Sequence, residues 1–248
     1  MNKASDLSVL TLIENTENNI MTAGRLLFDR NLSGNSDPVV LSGNYGGKEK
    51  SFTFSQLKGV VSLLLDELNE LGIKKGASIM LVPFPTSSEL LQSIYFITLV
   101  SMGARVFMPR KCSKEDLLKW IIRTNLQYAL IPGKELLSRE QHEEDNATLL
   151  DLNDIFISRH VSILDTISSF PLEKIIMSDG YTSMTGNGGQ CQSYLEVQPD
   201  EEALILAFPG TNGNNILKSY TQKDIVLQAV PVRLPTSILF PPKEVSER

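Results

Sequence analysis

The sequence predicts an α/β protein with a mainly parallel sheet and helices on both faces, and three observations carry that expectation. Short apolar runs of strand length alternate with longer helix-period segments between Ser51 and Ile131. One of those helices carries an unbroken stripe at Leu57, Val60, Val61, Leu64, Leu65, Leu68 and Leu71, the spacing of a helix with one face on a core. Farther on, residues 203–207 have the length and apolarity of a buried strand, and turn formers and a second helix start follow them. Crossovers between parallel strands are right-handed almost by rule, so this order of elements constrains the architecture strongly.

In chain order, residues 1–18 are polar and rich in Asn and Glu and read as a flexible arm. Positions 20–32 have helical apolar spacing at Ile20, Ala23, Leu26 and Leu27, and Ser33-Gly34-Asn35 ends the segment. Residues 51–54 alternate like a strand, Ser55 is the expected cap of the striped helix, and Gly72 stands just past its C-cap. A strand at 78–82 leads through Pro83 and Pro85 to a Ser87/Ser88 cap and a helix reaching about Met102. Because Ile94, Tyr95, Phe96 and Ile97 are apolar on successive positions, that helix is expected to be covered on more than one side. Gly103 ends it and 105–108 is the next strand. Ser113 with Asp116 forms a capping box for a helix through Asn125, and 128–131 returns as a strand. Residues 133–200 carry weaker signals: a charged loop at 140–146, short strands at 149–152 and 172–177, and a Gly-, Ser- and Asn-rich connector at 180–193. Gly186-Asn187-Gly188-Gly189 is not followed by Gly-Lys-Ser/Thr and reads as part of that connector. The organisation is thus an arm at 1–18, an α/β core subdomain at 19–132, a second α/β portion at 133–230, and an irregular tail at 231–248 in which prolines interrupt regular structure.

Composition excludes several function classes. The 248 residues, 42% hydrophobic and 21% charged, suit a globular protein with a real core. A net charge of −6 without a dense basic cluster argues against nucleic acid or an anionic membrane as partner. The longest apolar stretch, 94–100, is far short of the roughly 18 residues of a membrane span, and no basic-then-apolar leader opens the sequence. Cys112 and Cys191 are far apart and lack metal spacing, so a soluble, cytoplasmic protein with two free thiols is expected. His142 and His160 have no carboxylate or thiol at ligand spacing and read as surface or structural, and Trp120 reads as a core side chain. No catalytic or metal-ligating residue can be assigned.

The candidate site lies within 203–225, ALILAFPGTNGNNILKSYTQKDI. Pro209, Gly210, Asn212, Gly213, Asn214 and Asn215 are turn formers, and Thr221 with Asp224 makes an N-cap with an acidic residue at the third helical position. The order is strand, tight loop, strand, helix. A Gly/Thr loop after a strand offers backbone N–H groups and a hydroxyl to an anion, with a lysine as countercharge. In the loop itself that lysine is hard to find, and the anion-binding candidates are Gly210, Thr211, Asn212 and Gly213.

This stretch resembles the signature of the adenylate-forming (AMP-binding) superfamily of acyl- and aryl-CoA synthetases, luciferases and peptide-synthetase adenylation domains: T-S-G-T-T-G-x-P-K-G, a short strand, then T-H before a helix. Gly210, Thr211, Gly213 and Thr221 match it. Phe208, Pro209 and Asn212 depart from it, Asn215-Ile216-Leu217 replaces Pro-Lys-Gly, and Gln222 replaces the His. Lys218 falls two places late, about 6.6 Å along a strand. The resemblance adds Lys218 and Thr221 to the candidates and implies a nucleotide as the anion. Upstream, S-F-T-F-S-Q-L, E-L-G-I-K-K-G and S-S-E-L-L before a helix ending Gly103-Ala104 are similar to the family's Y-T-Y-x-E-L, L-x-x-x-G-V-x-K-G-D and N-S-x-E in the same order, and positions 26–32 resemble the opening of benzoate- and medium-chain acyl-CoA synthetases.

The resemblance implies the fold of the first part of the large N-terminal domain of acyl-CoA synthetases, and an ATP-dependent acid–thiol ligase as the parent activity. It implies ATP or AMP with Mg²⁺ as cofactor, weak or lost here because the loop lysine is displaced. It also implies that the metal acid, the ribose-binding Asp, the aromatic substrate-pocket segment and the lysine of the mobile C-terminal domain belong to a later portion than these 248 residues, so the chain alone is not expected to make an acyl adenylate. Three functions stay open: part of a larger or split ligase, an inactive pseudoenzyme serving as an interaction or assembly module, and a weak nucleotide- or acyl-binding module. Each carries the expectation of a homo-oligomer or a protein partner over the missing half.

Overall fold

The computed structural model describes residues 22–29, 37–45, 48–82, 89–109, 114–131, 154–165, 192–209 and 215–229. In order these form α1 (Ala23–Phe28), β1 (Val39–Tyr45), β2 (Lys48–Thr53), α2 (Phe54–Glu70), β3 (Ser78–Leu81), α3 (Glu89–Ser101), β4 (Arg105–Met108), α4 (Lys114–Arg123) and β5 (Tyr128–Ile131). A short helix over 154–158, β6 (Ser162–Asp165), a 3-10 turn (Gln192–Glu196), β7 (Glu202–Pro209), β8 (Asn215–Thr221) and α5 (Gln222–Ala229) follow. Six strands make one sheet in the order β6-β5-β3-β4-β7-β8, parallel throughout except for antiparallel β8 at one edge. β1 and β2 form a separate antiparallel pair.

Alternation along the strands divides the apolar side chains between two cores. Ile79, Leu81, Val106, Met108 and Leu204 face one layer with the stripe of α2 and with α3. Met80, Phe107, Ala129, Ile205 and Ala207 face the other, with Leu117, Trp120 and Ile121 of α4 and with Ile155 and Phe156. All four residues of β3 are buried, as a central parallel strand covered on both faces requires. The predicted α/β architecture with helices on both faces is therefore the one observed. Trp120 meets the Phe107 ring edge-on at 5.6 Å, which fixes it as core.

α2 buries Leu57, Val60, Val61, Leu64, Leu65 and Leu68, whereas Leu71 is its C-cap and is 53% exposed. Its N-cap is Thr53, not Ser55. The Thr53 hydroxyl accepts from the Gln56 amide and the Gln56 side chain accepts from the Thr53 amide, while the Ser55 amide donates to Asp37. Gly72 and Gly103 have φ of +79° and +80°, and Ile73 and Ala104 donate back to Leu68 and Leu99, closing α2 and α3 as glycine in the left-handed region allows. α3 buries Leu90, Leu91, Ile94, Tyr95, Phe96, Leu99 and Val100 together with Gln92, Ser93 and Thr98, the expected cover on several sides.

Some elements differ from expectation. α1 is closed by Thr22 and Asp29 and so is shorter than 20–32. The strand expected at 51–54 is β2, which begins earlier, at Lys48, and pairs with β1 in a register that ends on Tyr45 opposite Lys48; β1, the 154–158 helix, β6 and the 3-10 turn are additional. β6, β7 and β8 join the same sheet as β3–β5, so strands from both sequence portions share one layer. The arm at 1–18, the caps at Ser87/Ser88 and Ser113, the strands expected at 149–152 and 172–177, the connector up to 191, the tail, both cysteines and His142 lie outside the described residues. No helix among the described residues is long and apolar enough to cross a membrane.

Candidate functional site

β7 and β8 form the arm that carries the candidate loop. Their register runs from Glu202 opposite Thr221 to Pro209 opposite Asn215, and Gly210, Thr211, Asn212 and Gly213, between those strands in sequence, lie outside the described residues. Since β7 is parallel to β4, Pro209 stands at the end of the sheet where β3, β4, β5 and β6 also finish. Open α/β sheets bind ligands off that end.

The two described candidates do not converge on it. Thr221 closes the opposite end of the ladder, six residue steps or about 20 Å of strand away from Asn215. It caps α5: its amide and hydroxyl both donate to Asp224 Oδ2 at 2.8 Å, and the Asp224 amide donates to its Oγ1 at 3.2 Å. Hydrogen bonds from the Thr221 amide and hydroxyl, helped by Lys218 and Lys223, hold the Asp224 carboxyl below its ordinary value. The register thus places the start of α5 at the end of β8 away from Asn215, the described residue next to the loop.

Lys218 lies opposite Leu206, midway along β8, exposed, with its ammonium 4.9 Å from the centroid of the Tyr220 ring. It stands three residues, about 10 Å of strand, from Asn215, and odd spacing puts it and Thr221 on opposite faces. Lys218 and Thr221 do not form a phosphate cradle with one another. Among the described residues no group of three His, Cys, Asp or Glu side chains is arranged to hold a metal ion. His160 is exposed, with φ of +56° in the turn before β6, a structural position.

Sequence reasoning missed the side chain that organises the far end of the sheet. Gln222 is fully buried; its Nε2 donates to the Val100 carbonyl at 2.9 Å, and its Oε1 accepts from the Ala23 amide at 3.3 Å. One amide thereby ties α5, α3 and α1 together. The signal was present: Gln222, Ile225 and Val226 share one helical face, and all three are buried. α1 reaches this junction because Gly24 has no side chain; a Cβ there would lie 2.6 Å from Tyr194 Cβ and 2.9 Å from the Ser101 carbonyl oxygen. Tyr194 stacks on Phe28 at 4.8 Å and its hydroxyl donates to Asp29, and burial together with that carboxylate raises the phenol above its usual value. Lys75 pairs with Glu201 at 2.7 Å and donates to the Glu196 carbonyl, and Arg105 faces Glu202 at 3.7 Å. These contacts secure the end of the sheet away from the loop.

Comparison with known protein families finds no match, and no curated protein is similar in sequence. The fold does have solved relatives. VinN in complex with 3-methylaspartate superposes with a TM-score of 0.53 at 16% identity over 84% of this chain and 49% of its own. ATP-bound MatB from Rhodopseudomonas palustris gives 0.53 at 10% identity over 84% of this chain and 36% of its own. A Mycobacterium tuberculosis fatty acyl CoA synthetase gives 0.50 at 14% over 82% and 35%. The chain spans half or less of the length of these structures, and at such identity the likeness is one of fold: that of acyl-CoA synthetase-like domains.

Proposed function

We propose that this chain is an incomplete acyl-CoA-synthetase-like domain that does not form acyl adenylates by itself and contributes its sheet and the loop Gly210-Thr211-Asn212-Gly213 to a larger or split ATP-dependent acid–thiol ligase. The observation that supports this reading is the β7–β8–α5 arm on a parallel sheet, with the ends of β7 and β8 that flank the loop at the edge where ligands of open α/β folds sit. Adenylyl and phosphoryl transfer depend on positioning and charge stabilisation. With Lys218 resting on Tyr220 and Thr221 committed to Asp224, the loop brings backbone N–H groups, the Thr211 hydroxyl and the Asn212 side-chain amide, without a cation of its own. ATP or AMP is then held weakly, and Mg²⁺ arrives with the phosphates whose charge it neutralises. A second copy or another protein covering the remaining surface, and a cytoplasmic setting, complete the reading.

Calorimetric titration of the chain with ATP and AMP, with and without Mg²⁺, beside a Gly210→Val/Thr211→Val variant, tests this. Binding in the high micromolar to millimolar range that the double substitution abolishes is the expected result. No heat up to millimolar nucleotide would remove the loop from function and favour the second reading, a pseudoenzyme acting as an assembly module. The observation behind that alternative is Gln222, which stands where the resembled signature has its His and is wholly engaged in holding three helices together.

A further inference from the structure

β8 is the last strand of the sheet, and among the described residues it is paired on one side only. A strand edge carries a row of backbone donors and acceptors in register for another strand. Along β8, Ile216, Lys218 and Tyr220 alternate onto the face shared with Phe208, Leu206 and Leu204 of β7. Ile216 is 60% exposed, Lys218 is exposed, and Tyr220 packs inward against the α2–α3 core.

The obvious occupant of such an edge is a second copy of the same strand, and charge works against it. An antiparallel pairing that sets Ile216 of one copy against Tyr220 of the other has its two-fold axis at residue 218, so the two Lys218 ammonium groups stand directly opposite. Like charges at directly opposed positions destabilise a strand pair, whereas opposite charges and apolar pairs stabilise it. The nearby acids that could offset the repulsion are engaged: Glu202 faces Arg105, and Asp224 holds the cap of α5.

We propose that the outer edge of β8 is a strand-addition site whose occupant is an extended acidic segment of another polypeptide, apolar side chains meeting Ile216 and Tyr220 and a carboxylate meeting Lys218, and that Lys218 bars two copies of this chain from pairing here. Backbone hydrogen bonds supply the affinity of such an addition, and alternate side chains select the partner. The site is separate from nucleotide binding at the loop and stands without it.

Fluorescence anisotropy of the full chain with two labelled seven-residue probes, alternating Val and Thr around a central Glu or a central Lys, reads the selection. The Glu probe is expected to bind about tenfold tighter than the Lys probe, as a cross-strand charge reversal implies. Lys218→Glu should invert that order, and Ile216→Asp should lose the Glu probe with the far-UV circular dichroism unchanged. Sedimentation equilibrium of Lys218→Ile should show concentration-dependent dimers that the natural chain does not form. Equal binding of the two probes, no binding of either at millimolar concentration, or an unchanged preference in Lys218→Glu overturns the site; a monomeric Lys218→Ile overturns the barrier. The Gly210→Val/Thr211→Val variant should bind the Glu probe like the natural chain, which separates this outcome from failure of the nucleotide reading.

Discussion

At Gln222 a single buried amide satisfies an N–H of the first turn of α1 and reaches a carbonyl of α3. Substitution by Ala removes the buried donor to the Val100 carbonyl and the acceptor of the part-buried Ala23 amide, and a polar group left unmatched on burial costs about 1–3 kcal/mol. Gln222→Ala should therefore lower the thermal midpoint by several degrees; an unchanged midpoint would mean that the tie contributes nothing. Asp224 makes a prediction in pH. Its carboxyl is held below the ordinary 3.8, chiefly by the Thr221 amide and then by the Thr221 hydroxyl. A group with a depressed folded value contributes its full stability above the unfolded value and loses it as pH falls through the folded one. Asp224→Asn should accordingly be less stable than the natural chain near neutral pH, with the difference shrinking once pH drops well below 3.8. Urea titrations at the two pH values check this, and a gap that stays constant with pH would contradict it.

The elements most legible in the sequence are those whose periodicity is enforced by burial. The stripe of α2 and the crowded apolar face of α3 were readable because nearly every stripe residue is in the core, and Gly72 and Gly103 marked their ends because those positions need positive φ. The start of α2 was less legible. Ser55 and Thr53 are both acceptable caps by residue type, and the choice fell to Asp37, which takes the Ser55 amide and the Thr53 hydroxyl. Hydrogen bonds from Thr53 and Ser55 outweigh the opposing effect of burial and lower the Asp37 carboxyl below its ordinary value. Thr53→Ala should cost about 1 kcal/mol, the usual value of a lost N-cap, and Ser55→Ala measurably less in the same denaturant titration. The reverse ranking would restore Ser55 as the cap. β6 was missed because only Ile163 and Leu164 of its four residues are apolar, whereas the equally short β3, β4 and β5 each carry three or four, and the 154–158 helix is a single turn with too few positions for a period to declare itself.

In the whole molecule, the sheet lies between two apolar layers, and the only tryptophan reports on one of them. Phe107, fully buried against Trp120, links that layer to the central strands, so Phe107→Ala should cost about 3–5 kcal/mol. If the layers unfold as one unit, Trp120 fluorescence and far-UV circular dichroism will give coincident urea transitions in the natural chain and in this variant alike. Separated transitions would show the α4 layer opening by itself. The sequence by itself determined the α/β class, the order of most elements, the buried stripes and the strand–loop–strand–helix arm, because each follows from local periodicity and turn chemistry within a few residues. Only the tertiary structure decided that Thr221 and the loop flank opposite ends of the β7–β8 ladder, that Lys218 rests on Tyr220, and that Gln222 joins α1, α3 and α5. Those outcomes depend on strand register and on contacts between residues as far apart as Ala23 and Gln222, and no local pattern encodes which distant backbone group a buried amide will meet.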